Sequence, residues 1–145
     1  MANVNPPFVL ELRKVVNATR ERVFRAWTEL EQIRKWWEPA GFTLPEAQQD
    51  LRVGGSYRFA MCSPEGQIHY LKGEYREIQP PEKLVFTWKW DRDGSIPETV
   101  VTVQLIARGG KTEVVVTHAG FPTQEDLDNH NRGWSSMLER LPAAA

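Results

Sequence analysis

Apolar residues along this chain are spaced in two ways, and the change comes near residue 42. Before it, residues 8–17, FVLELRKVVN, set Leu10 and Leu12 against Glu11 and Arg13, the alternation of a strand with one buried face. Val23, Phe24, Trp27 and Leu30 then recur at intervals of three and four, which predicts a helix over 20–29 with Thr19 as its cap. A second short helix, roughly 31–37, ends because Pro39 disfavours helical geometry at Glu38 and Gly41 permits a turn.

Beyond residue 42 the pattern alternates, through 47–53, 56–62, 67–78, 83–90, 98–107 and 111–119. Between these runs stand short turn signals, Gly54-Gly55, Ser63-Pro64-Glu65-Gly66, Pro80-Pro81, Asp91-Arg92-Asp93-Gly94 and Gly109-Gly110. Six sequential antiparallel strands are therefore expected after the helices. Tyr57, Phe59 and Met61 share one face with Leu84, Phe86, Trp88, Trp90, Val101, Val103, Leu105, Val114, Val116 and His118. The opposite positions, among them Arg58, Lys72, Glu74, Thr87, Thr102, Gln104 and Thr117, read as a solvated face. The cover for the apolar face is a final helix over 123–141, capped by Thr123, with Leu127, His130, Asn131, Trp134, Met137, Leu138 and Leu141 as its inward stripe. The class is α+β, a single domain over 8–141, with 1–7 and 142–145 as ragged ends.

Composition removes several function classes. Eighteen Lys and Arg against 19 Asp and Glu leave a formal charge of −1, with no electrostatic footprint for nucleic acid or an anionic membrane. No apolar run approaches membrane-spanning length, and MANVNPPFVLELRKV lacks the form of a secretory signal, so a soluble cytoplasmic protein is expected. Cys62 is alone, which excludes an internal disulfide, and the sequon Asn17-Ala18-Thr19 has no role inside a cell.

Several short motifs carry a family resemblance: RVFRAWT at 22–28, WWEP at 36–39, DLRVGG at 50–55, GEY at 73–75, PPEKLVFTW at 80–88 and Gly133-Trp134. With them, over about residues 8–141, the chain resembles the helix-grip (START-like, polyketide-cyclase-like) superfamily. Within it, the chain is similar to the bacterial proteins related to the C-terminal domain of the activator of the Hsp90 ATPase. The resemblance implies a curved antiparallel sheet of about seven strands gripping a long C-terminal helix, with two short helices after the first strand. It also implies a cavity between sheet and helix for a small hydrophobic ligand, aromatic, polyketide-like or lipid-like. A co-chaperone contact with an Hsp90-type protein, and with it a stress-response role, is the second implication. A cyclase or hydrolase activity is the third.

The residues themselves leave two alternatives open for the aromatic surface, a filled core and a ligand pocket; the resemblance favours the pocket. Trp36 and Trp37 lie three and four residues after Ile33, so one can pack inside and the other stand at a cavity mouth, or both can pack under the following turn. Candidate ligand contacts are Trp36, Trp37, Phe59, Met61, His69, Tyr75, Trp88, His118, His130, Trp134 and Met137. His69, His118 and His130 could converge, yet their separations match no compact metal-ligand motif, and neither a metal nor another cofactor is expected. DRDGS lacks the acid a calcium loop needs at its twelfth position, and GGKT lacks the first glycine of a phosphate loop. No acid–base pair can be assembled, so binding ranks above catalysis. Val100 and Val115 on the outer face suggest a weak homodimer.

Overall fold

The computed structural model describes residues 8–37, 41–91, 94 and 96–145; the expected helix break at Pro39 and most of the DRDGS turn lie outside the described residues, as do residues 1–7. The chain runs β1 (Phe8–Val16), α1 (Arg20–Thr28), α2 (Leu30–Trp36), β2 (Thr43–Gln49), β3 (Ser56–Cys62), β4 (Ile68–Gln79), β5 (Lys83–Trp90), β6 (Thr99–Arg108), β7 (Lys111–Phe121) and α3 (Gln124–Ala144). The strands form one antiparallel sheet in the order β1-β7-β6-β5-β4-β3-β2. The meander from β2 to β7 thus pairs each strand with the next, and the first strand closes onto the last. This is the expected helix-grip architecture, with α1 and α2 set between β1 and β2 and α3 lying on the apolar face.

Local chemistry accounts for the helix starts. Thr19 accepts the Arg22 backbone N–H through its hydroxyl, and Thr123 does the same for Asp126. At α3 the Asp126 carboxylate returns the contact by accepting from the Thr123 hydroxyl at 2.8 Å, a reciprocal cap. The helix does not stop at Leu141 as its apolar stripe suggested. It passes through Pro142 to Ala144, because a missing N–H in the last turn removes a single bond while Ala144 joins the core. Arg22 of α1 donates to the Ala145 carbonyl beyond that end.

Three expectations about the strands need correction. The first strand of the meander is Thr43–Gln49 rather than 47–53, since Asp50 to Gly55 form the turn; Pro45 is accommodated because β2 is an edge strand. Thr87, placed by alternation on the solvated face, is 1% exposed. Its hydroxyl accepts the Glu74 backbone N–H and its carbonyl accepts the Tyr57 hydroxyl, beside Gly73, where a Cβ would stand only 2.0 Å from that carbonyl oxygen. Val115 is 4% exposed, flanked in register by the long side chains of Arg13 and Gln104, while Val100 is 39% exposed; the paired outer-face patch read from the sequence is reduced to Val100.

The core divides into two ends. At one, Trp27, Trp36 and Trp37 pack with Tyr57, Phe59, Tyr75 and Phe86 and leave a void of only about 10 Å³. At the other, beneath the N-terminal half of α3, sheet and helix touch through paired side chains but leave a gap between them.

Candidate functional site

The gap at that second end is a cavity of about 460 Å³, within the range of small-molecule sites. One wall is sheet: Met61 of β3, His69 of β4, which pairs with it across the ladder, and Trp88 and Trp90 of β5. The other wall is α3, where Asp126, Asn129, His130, Gly133, Trp134 and Met137 recur at the three- and four-residue spacing of one helical face. Phe42, Gly94 and Ile96, from the loops around β2 and β6, complete the lining.

Six of the eleven residues read from the sequence as ligand contacts line this cavity: Met61, His69, Trp88, His130, Trp134 and Met137. The rest sit elsewhere for identifiable reasons. Trp36 is fully buried and donates its indole N–H to the Ala26 carbonyl at 2.8 Å, so it belongs to the α1–α2 junction. Trp37 is central to the aromatic core, with ring centroids 5.2 Å from Trp36, 5.6 Å from Phe59 and 5.6 Å from Trp134. It touches both Trp88 and Trp134 without lining the cavity, and therefore backs the wall and does not stand at the mouth. Phe59 and Tyr75 face the filled end, where the Tyr75 hydroxyl accepts from Gln49. His118 is fully buried behind the wall. Alternation could not separate Phe59, Tyr75 and His118 from the cavity residues, because the filled and open ends lie on the same sheet face. Among the residues missed, Trp90 was legible as inward-facing, whereas Phe42, Ile96 and Asn129 are brought in only by the way loops and helix meet.

The polar atoms of the wall are engaged with one another. Trp134 donates its indole N–H to His118 Nδ1 at 3.0 Å, which makes Nε2 the protonated nitrogen of a neutral ring. Nε2 donates to Thr99 Oγ1 at 2.6 Å, and the Thr99 hydroxyl donates to the Trp88 carbonyl. On the other side, Trp90 donates its indole N–H to His130 Nε2 at 3.2 Å, while His130 Nδ1 donates to the Asp126 carbonyl at 2.8 Å. Each histidine thus accepts from a tryptophan at its unprotonated nitrogen, so taking up a proton or ligating a metal there would first break that bond. His69 differs: its ring lies beside Phe42 and Trp90, and among the described residues it makes no hydrogen bond.

The family model described as "Activator of Hsp90 ATPase homolog 1-like protein" matches residues 17–145. The chain belongs to this family. The Activator of Hsp90 ATPase homolog 1-like assignment agrees with solved structures. A protein from Chromobacterium violaceum is 30% identical with a TM-score of 0.85, over 94% of this chain and 96% of that one. The AHSA1 protein from Silicibacter pomeroyi is 26% identical with a TM-score of 0.83, over 94% and 96% of the two chains. A Rhodobacter sphaeroides protein is also 26% identical, with a TM-score of 0.81 over 96% and 94%. No curated protein matches the chain. Among the described residues, no helix is long and apolar enough to cross a membrane.

The two paired histidines tie the stability of this fold to pH. Burial, and then the neighbouring His130, hold His118 well below the usual imidazole range. Burial also lowers His130, against the opposing pull of Asp126 through its backbone carbonyl and its charge. Protonating either ring would set an N–H against a tryptophan N–H. An unfolded histidine titrates near about 6.5, so below that pH the unfolded chain binds more protons than the folded one. Stability is expected to be complete above about pH 6.5 and to fall as pH drops toward the depressed folded values. Urea midpoints for the wild type and for His130→Gln would check this: the variant should lose part of the acid sensitivity, and identical pH slopes would contradict the assignment.

Proposed function

We propose that this protein is a binding module for a small hydrophobic molecule held between the sheet and α3. One observation carries the reading: the fold leaves a cavity of about 460 Å³ lined by Trp88, Trp90, Trp134, Met61 and Met137, a volume that native packing normally fills with side chains. Tryptophan offers broad faces to a flat ligand and methionine adapts to its outline. The family assignment supports the same reading, since the helix-grip fold places an opening between sheet and helix. Catalysis is the weaker alternative, because the nitrogens of His118 and His130 are committed to Trp134, Thr99, Trp90 and the Asp126 carbonyl.

The test is a titration with N-phenyl-1-naphthylamine, a neutral apolar fluorophore, followed by thermal melts with the same probe. Saturable binding and a stabilisation of about 2.7 kcal/mol at a hundredfold excess over Kd are expected for one site. Absence of saturable fluorescence together with an unchanged melt would remove the reading. A contact with an Hsp90-type chaperone is a second reading, supported by the family's description. Co-sedimentation with a purified bacterial Hsp90 checks it, and a complex insensitive to apolar ligand would show the two roles to be separate.

A further inference from the structure

The sequence contains ten glycines, and their placements are not equivalent. Seven hold a positive φ, which a side chain would strain. Gly55 and Gly73 lie where a Cβ would come within 2.1 Å and 2.0 Å of backbone carbonyl oxygens. Gly133 has neither reason. It sits in the interior of α3, in helical conformation, and a Cβ built on it meets nothing within 4 Å. Glycine weakens a helix interior relative to alanine, so the helix gains nothing from it. The space left by its missing side chain opens into the cavity.

We propose that Gly133 is a specificity-determining position, whose missing side chain lets the flat, uncharged ring system of an apolar ligand lie against the backbone of α3. This rests on the ligand-binding reading and adds to it where the ligand lies and what chemistry it has. The ring is uncharged because the indole and imidazole nitrogens beside Gly133 are already paired, and the polar lining residues Asn129 and Asp126 lie one and two turns nearer the start of α3. Trp134 is turned to His118, and both nitrogens of His130 are taken by Trp90 and the Asp126 carbonyl. A charge or an unpaired polar group buried there would forfeit its hydration without compensation. Polar substituents belong at the His69 end, where the imidazole is free to bond among the described residues.

The experiment is the N-phenyl-1-naphthylamine titration repeated on Gly133→Ala, Gly133→Val and Gly133→Leu, with Ser135→Leu, on the exposed side of α3, as the control. Gly133→Ala should raise Tm by roughly 2–4 °C while weakening the probe, so that stability and binding move in opposite directions. Affinity should fall with side-chain size, by roughly tenfold or more at leucine, and Ser135→Leu should bind like the wild type. Circular dichroism identifies the folded members, and alanine keeps the series informative if leucine unfolds. Equal affinity across the folded variants would overturn the role of Gly133 while leaving ligand binding intact. Failure of the wild type to bind the probe would instead overturn the ligand-binding reading, and this inference with it.

Discussion

Trp134→Ala is expected to cost about 3–5 kcal/mol of folding stability, the range for truncating a large buried aromatic. Trp134 is 2% exposed, and its ring lies 5.8 Å from Trp27, 5.6 Å from Trp37 and 5.2 Å from Trp88, so it joins α3 to the helical layer and to the sheet at once. The alanine variant also leaves His118 Nδ1 without its donor in a fully buried setting. That places the cost toward the upper end, since an orphaned buried acceptor carries a penalty of about 1–3 kcal/mol. Trp134→Phe separates the two effects, because it keeps most of the apolar surface and removes the N–H. Urea denaturation of both variants provides the measurement. An alanine loss well under 1 kcal/mol would mean that Trp134 does not hold helix and sheet together.

Trp37→Ala should be comparably damaging, again about 3–5 kcal/mol, despite contributing no surface to the cavity. Its ring is in contact range of Trp27, Trp36, Phe59, Phe86, Trp88 and Trp134, and removing it takes the support from behind two cavity-lining indoles. Weaker probe binding is expected as a secondary consequence of a slackened wall. Trp37→Phe should cost much less, because among the described residues the Trp37 indole N–H has no hydrogen-bond partner to lose. The opposite pattern, near-normal stability with binding lost in Trp37→Ala, would restore this indole to the mouth of the site.

The element order was legible from spacing because the two periodicities are local. Val23, Phe24 and Trp27 can share a face only on a helix, and Leu84, Phe86 and Trp88 only on a strand. Caps and turn glycines placed most boundaries within a few residues. The exceptions, β2 and the end of α3, are elements whose limits depend on an edge position for Pro45 and on a buried place for Ala144. Thr87 and Val115 were misplaced for a related reason: alternation gives the direction of a side chain but not what neighbouring strands lay over it.

The candidate site was legible only as a set of inward aromatic, methionine and histidine positions. Sequence determined that Trp88, Trp134 and His118 face inward, because facing is a property of each element's own period, and left Trp37 between core and cavity mouth. The tertiary structure decided which of them meet filled space and which meet the cavity, because that depends on where α1 and α2 come to rest between sheet and α3. They fill one end with Trp27, Trp36 and Trp37 and leave the other to Trp88, Trp90, His130 and Gly133. The pairing of Trp134 with His118 and of Trp90 with His130, which sets both imidazole tautomers, also needed the two faces brought to hydrogen-bonding distance. No spacing along one chain encodes that distance, since each partner lies on a different element and only their packing angle fixes the gap.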